Sequence, residues 1–279
     1  SRVLSAYWAA VGAERLAQSF REGLENLDRA VEFHRVRVQE GALPEADLIR
    51  IELEHRQVSI SYQNAQQDAR RLKFQLFREM GVQEQLDTTL TARLDEIPES
   101  PSQDASEIER RPDVRLSNQV IRQANSLTNL QKANAVPDPE LLFGYKRTTG
   151  FNTLIAGVQI NLPFRNRNQG AIAAAVAEEA AAAASLRAVK QSAATEISSL
   201  RSEFQQKKDL VEQMLPGLRQ QAAETSRIAQ AVYREGASDI LRLLDAERTR
   251  LQAEALYIRS LLEYHQADIS LRTALGLIP

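Results

Sequence analysis

Cysteine is absent from the 279 residues, so the chain has no disulfide, no thiolate metal site and no cysteine nucleophile. Aromatic residues make up 5% and glycines number 11, both low for a compact globule. Histidine is scarce too. His34, His55 and His265 stand alone, without the second His, Asp or Glu that a metal motif needs, and read as packing or surface residues. No apolar run approaches the ~20 residues of a membrane-crossing helix. No glycine-rich phosphate loop, nucleophile elbow or zinc-binding helix occurs, which leaves an enzyme without support and implies no cofactor. Net charge is −2 with pI near 6.0, so no basic field exists to hold nucleic acid. The basic residues Lys146, Arg147, Arg165 and Arg167 lack interleaved aromatics and flank strand ends, where turns or polar headgroups explain them. Glu178-Glu179 and Asp245/Glu247 are paired carboxylates in sequence, and each pair reads as a solvated helix face.

What is present is the composition of long helices: Ala, Leu, Glu, Gln and Arg dominate. The organising stretch runs from Ala231 to Pro279. A helix ends at Gly236, because a residue without Cβ enters left-handed geometry cheaply, and Ser238 and Asp239 cap the return helix. Leu241, Leu244, Leu251, Ile258 and Leu262 mark one face of that helix. The same unit occurs earlier. Adding 195 to each number superposes the copies without a gap: Gly41 falls on Gly236, Glu52 on Glu247, Tyr62 on Tyr257 and Gly81 on Gly276. This predicts an internal duplication of a helical hairpin.

In chain order, residues 1–40 are helical in pattern, with Leu4, Trp8, Val11, Leu16, Phe20, Leu24, Leu27 and Val31 recurring. Gly12 and Gly23 inside it are costs of ~1 kcal/mol each against Ala. After Gly41, Pro44 suits the first turn of a helix carrying Leu48, Ile51, Val58, Tyr62, Ala65, Ala69, Leu72 and Leu76 on one stripe, closed near Gly81. Residues 82–109, with Pro98 and Pro101 and a polar run around Glu99–Ser106, predict an irregular connector with one short helix or strand. A helix opens at Arg110–Val114 and stops before Pro137.

The period then changes. Leu141, Phe143 and Tyr145 alternate with Leu142, Gly144 and Lys146, and after a turn at Gly150, Leu154, Ala156, Val158, Ile160 and Leu162 share one face. This predicts a two-stranded hairpin over residues 140–162. Its strands approach the ~9–11 residues that cross a bilayer in a barrel, although a hairpin can also pack on a soluble core. Little else stands nearby to supply such a core. Residues 171–235 read as one helix of ~100 Å, interrupted only by Pro216-Gly217, which kinks or breaks it. Its Ala-rich start, Ala171–Ala184, is either filler or a surface for close helix packing.

Three stretches carry a family resemblance: Arg111-Pro112-Asp113-Val114, the strand exit from Ile160 through Asn166-Arg167-Asn168-Gln169 to Gly170, and Tyr233-Arg234-Glu235-Gly236 followed by Leu243-Leu244-Asp245-Ala246. In this order and spacing they resemble the TolC-like outer-membrane efflux family, with the strand exit most similar to its heavy-metal-efflux branch. The resemblance implies a mainly α fold of long antiparallel helical hairpins, coiled-coil-like walls of a tunnel, with one β-hairpin belonging to a membrane barrel. It implies an outer-membrane exit duct reaching into the periplasm, a homotrimer when full length, outer-membrane lipid around it, and two protein partners: a periplasmic adaptor (membrane fusion protein) and an inner-membrane pump. The implied organisation is a first-repeat hairpin at 1–81, a connector at 82–109, an upper helix at 110–136, a barrel hairpin at 140–162 and a second-repeat hairpin at 171–279. Ser1 maps onto position 196, so the first repeat is expected to lack its counterpart of about Asp113–Thr195, and the chain to be truncated at its start.

The resemblance also assigns residues. The turns Gly41-Ala42-Leu43 and Gly236-Ala237-Ser238 are the adaptor-docking tips. Tyr233, Arg242 and Asp245 fall at positions that hold the periplasmic end shut. Arg242 stands where the family has an acidic residue, and Ser238 where it has a basic one, so the acidic ring is at best half present. The barrel residues are Leu141, Phe143, Tyr145, Leu154, Ala156, Val158 and Ile160. Two alternatives remain open: a type I protein-secretion duct, and a soluble coiled-coil scaffold, which has no need of the strand hairpin.

Overall fold

The computed structural model describes residues 1–83, 88–98, 100–101, 107–161 and 165–278. Leu162, Pro163 and Phe164 of the strand exit, and Glu99 and Ser102–Ser106 of the polar run, lie outside the described residues. The chain divides into two compact units, residues 1–103 with 197–279 and residues 104–196.

The first unit holds two helical hairpins. Helix α1 (Arg2–Gln39) turns into α2 (Glu45–Met80). Helix α6 (Leu215–Arg234) turns into α7 (Ile240–Ala274). The two turns are built alike. Gly41 and Gly236 have φ of 72° and 73°. Gly41 N–H donates to the Val38 carbonyl and Ala42 N–H to that of Arg37, at 2.9 and 2.8 Å; Gly236 donates to Tyr233 and Ala237 to Val232, at 3.0 and 3.1 Å. These are paired left-handed caps that satisfy the last carbonyls of a helix. The closing glycines repeat the pattern: Gly81 and Gly276 have φ of 67° and 69°, with Val82 bonded to Phe77 and Leu277 to Arg272. Every one of these pairs is related by the same offset of 195 that aligns the sequences.

Helix α1 packs on α2 and, antiparallel, on α7. Contacts between α1 and the second hairpin run in order: Gly12 lies against Leu262, Gly23 against Leu251, and His34 against Tyr233. Both tight turns therefore sit at one end of this unit. The core there joins Leu27, Ile51, Val58, Ile240, Leu243, Leu244 and Leu251. All eight stripe residues of α2 are buried or half-buried. Helix α7 departs from a one-faced reading. It is buried on several sides, against α1 and α6, while Leu241 is half exposed. The connector reaches α7 through its backbone. His265 Nε2 donates to the Leu94 carbonyl at 2.8 Å, the Tyr264 hydroxyl donates to that of Pro98 at 3.2 Å, and the His265 ring stacks on Trp8 with centroids 3.7 Å apart.

The long helix before Gly236 is continuous but not uniform. Helix α5 (Gln169–Asp209) passes through a π-helical turn at Leu210–Met214 into α6. Pro216 explains the position. It has no N–H for the carbonyl four residues back, and its ring would clash there, so the preceding turn widens instead of the helix ending.

The second unit contains α3 (Glu107–Arg110), α4 (Pro112–Ala133), strands β1 (Pro139–Thr148) and β2 (Phe151–Ile160), and the first part of α5. Pro112 opens α4 at its first turn. The strands pair antiparallel, from Pro139 opposite Ile160 to Thr148 opposite Phe151, around a turn at Thr149-Gly150.

Candidate functional site: hairpin tips, the cavity behind them, and the strand pair

At the tips, Gly41, Ala42, Gly236 and Ala237 are exposed, and Leu43 and Ser238 are half-buried. Among the described residues, no atom lies within 4 Å of where a Cβ on either glycine would sit. The glycines are thus required by backbone geometry, and the space in front of each turn is open. Asp239 caps α7 through Leu241 N–H at 3.3 Å, whereas Pro44 gives α2 no side-chain cap.

Behind the turns, Tyr233 meets a residue that sequence reasoning set aside. His34 is 1% exposed. Its Nδ1 lies 2.7 Å from the Ala30 carbonyl, which can only accept, so Nδ1 carries a proton. Its Nε2 is 2.5 Å from the Tyr233 hydroxyl, and the two rings stack at 5.3 Å. Burial, with Asp47 and Asp239 adding to it, raises the Tyr233 phenol above its ordinary value. Arg242 and Asp245 are exposed on α7, and among the described residues neither is hydrogen-bonded to Tyr233. Of these three residues, Tyr233 is the one that, among the described residues, joins the two hairpins, through His34 of α1. The available signal was faint: a lone histidine at a polar position on a helix otherwise packed by small residues.

A cavity of about 400 Å³ opens beside this pair, between Phe33, His34, Tyr233, Leu244 and Glu247. Glu247 corrects the expectation of a solvated face, since it is only 4% exposed. Ser226 Oγ donates to it at 2.6 Å and Arg250 Nη2 at 2.6 Å. Burial pushes its carboxyl upward, but the hydrogen bonds from Arg250 and Ser226 outweigh that and hold it below the usual range. The other carboxylate pair is also structural at one member: Glu179 accepts from Asn125 and Thr128 at 3.0 and 3.1 Å, tying α5 to α4. His55 bonds Asp28 at 2.7 Å, across the α1–α2 hairpin.

In the second unit the quoted motifs have mechanical roles. Arg111 Nη2 bridges Asp113 at 2.8 Å and Glu196 at 2.9 Å, pinning the start of α4 to α5. Asn168, at φ 58°, turns the chain into α5, and its amide donates to the Gln131 carbonyl at 2.9 Å. Asparagine tolerates that left-handed geometry better than most side chains. The strand register puts Leu141 opposite Val158, Phe143 opposite Ala156, and Tyr145 opposite Leu154, with Ile160 on the same face. Every residue of both strands is exposed.

A strand pair with one apolar, uncovered face, entered and left by long helices, defines a helical protein with a membrane-barrel element. The chain belongs to the outer membrane efflux protein family, whose model matches residues 105–277. It is 29% identical over 194 residues to the cobalt-zinc-cadmium resistance protein CzcC of Cupriavidus metallidurans, covering 66% of this chain and 45% of that protein. In fold it is similar to CusC, with a TM-score of 0.79, 20% identity, and coverage of 97% of this chain and 66% of that one. It is likewise similar to the open state of the Neisseria gonorrhoeae outer-membrane channel MtrE, with a TM-score of 0.78, 20% identity, and coverage of 98% and 65%. The chain thus spans under half the length of its curated relative and about two thirds of these structures.

Proposed function

We propose that this chain forms part of the exit duct of a tripartite efflux system, set in the outer membrane and extending into the periplasm, exporting heavy-metal ions or drugs. The duct is passive, and energy and substrate choice come from an inner-membrane pump joined through a periplasmic adaptor. The observation that carries the reading is the β-hairpin. Its apolar column of Leu141, Phe143, Leu154, Ala156 and Val158 has no protein cover among the described residues, an arrangement that suits lipid and costs free energy in water. The Tyr233–His34 pair serves as a closure between hairpins near the tips, with Arg242 and Asp245 facing the pore.

The tips Gly41-Ala42-Leu43 and Gly236-Ala237-Ser238 dock the adaptor, because small residues on an open turn let another helical hairpin approach. Ala237→Glu tests this. It keeps both glycines and places a carboxylate near a helix start, which the helix dipole tolerates. In the full-length protein we expect normal folding and oligomer formation, with loss of adaptor pull-down and of efflux. Wild-type levels of both would remove Ala237 from the docking surface.

A further inference from the structure

The turn end of the β-hairpin carries charge of one sign. From Leu141 to Ile160 the sequence has no Asp or Glu, and its two cations, Lys146 and Arg147, lie at the end farthest from α4 and α5. Among the described residues neither has an ion-pair partner. Arg147 stands opposite Asn152 on the apolar face, one rung beyond Tyr145 and Leu154. The Tyr145 hydroxyl donates to Asn152 Oδ1 at 2.6 Å, and among the described residues the Asn152 N–H₂ has no acceptor. Lys146 points to the other face, opposite Thr153. From Pro139 to Arg147 the strand rises ~27 Å along its axis, or ~20 Å of height at a barrel tilt of ~40°, so these donors lie near the edge of an apolar band ~25 Å tall.

Taken with the membrane-strand reading above, on which it rests, we propose that Arg147 and Asn152 form an anchor for the phosphate of a lipid headgroup. The planar guanidinium matches two phosphate oxygens, and the Asn152 N–H₂ can donate beside it on the same face. Tyr145 sits at the depth where an amphipathic ring prefers the apolar–polar boundary. The shared chemistry is a phosphate ester at the membrane surface, carried either by a glycerophospholipid or by a phosphorylated glycolipid.

The test measures partition of the full chain into vesicles of phosphatidylcholine alone, or with a minority of phosphatidylglycerol or of lipid A. Arg147→Gln is compared with Arg70→Gln on α2, which removes the same charge elsewhere. The expected result is a loss of preference for the anionic vesicles of about fivefold, as ~1 kcal/mol for one Arg near an anionic surface implies. Binding to phosphatidylcholine should not change, and the control variant should keep its preference. A larger loss with lipid A than with phosphatidylglycerol assigns the site to the glycolipid, and the reverse assigns it to the phospholipid. An unchanged preference, or an equal loss in the control, overturns the proposal. Phe143→Asn/Leu154→Asn separates the two readings: if it leaves partition into every vesicle intact, the membrane-strand reading itself fails. If it abolishes partition while the cation variant has no effect, only the headgroup anchor fails.

Discussion

Gly23 looks dispensable in sequence and is not so in the structure. On propensity alone, Gly23→Ala in the middle of α1 should stabilise the helix by ~1 kcal/mol. The Cβ it adds, however, would lie 2.6 Å from Leu251 Cδ2 and 3.1 Å from Cδ1. Leu251 is 6% exposed and belongs to the core around Leu27 and Leu244, so its methyls can move only by disturbing that packing. Overpacking of this kind costs ~1–3 kcal/mol. The net is a loss of up to ~2 kcal/mol, set against the gain from propensity. Gly12 supplies the internal control. Its added Cβ would meet Leu262 Cδ2 at 3.3 Å, a contact relieved by a small shift of a half-buried side chain. Gly12→Ala should therefore be neutral or stabilising. Urea unfolding followed by helical circular dichroism, in one detergent, gives both values. Leu251→Val in the Gly23→Ala background should recover part of the loss by making room. A Gly23→Ala protein as stable as the Gly12→Ala protein would refute the packing argument.

Two further outcomes follow from the buried polar contacts. Tyr233→Phe removes the hydroxyl 2.5 Å from His34 Nε2 and leaves a buried acceptor unpaired, so it should cost ~1–3 kcal/mol in the same unfolding assay, with strong non-additivity against His34→Ala. Burial holds the His265 imidazole below its ordinary value, more than the Leu94 hydrogen bond and nearby Asp268 can offset. The unfolded chain therefore takes up a proton near pH 6.5 that the folded chain refuses, and stability present above that pH should fall on acidification through the folded value. Melting temperatures of wild type and His265→Gln across pH 8 to 5 check this, with the shallower slope expected in the variant.

Backbone punctuation was legible in the sequence because it is local. A turn glycine needs only its own φ, and the offset of 195 carried all four capping glycines to equal geometry. Strand alternation was legible for the same reason, since a period of two sets the face whatever lies against it. What escaped depends on neighbours distant in sequence. Leu241, Leu244, Leu251, Ile258 and Leu262 were expected to share one face, but α7 is enclosed on several sides, and enclosure erases the amphipathic signal. Glu247 looks like any surface glutamate until Ser226 and Arg250 are folded over it. Pro216 announced an interruption in the long helix, but not that a π turn would absorb it.

The duplication makes one demand that a single chain does not meet. Helix α1 packs on α7, joining the first hairpin to the second. By the offset, α1 corresponds to α6 and α7 to α2, so the equivalent seam is α6 on α2, and among the described residues the chain makes no such packing. The surfaces are nevertheless prepared for it. Leu244 of α7, 8% exposed in the core shared with Leu27 of α1, corresponds to Ile49 of α2, which is 52% exposed. Leu218 of α6, the counterpart of Gly23, is 44% exposed. We expect a second copy of the chain to supply the missing partner, and repetition of that step to close a ring. Since Gly23 touches Leu251, the equivalent intermolecular contact is Leu218 against Arg56 of the next copy. The chain has no cysteine, so Arg56→Cys/Leu218→Cys introduces the only thiols. Mild oxidation of the full-length double variant should give a ladder of cross-linked species that ends at a closed ring, whereas each single variant stays uncross-linked. A pair moved to the solvent side, Arg70→Cys/Gln220→Cys, should give none. Monomer alone from the first pair, or equal ladders from both, would show that the repeats do not continue from chain to chain.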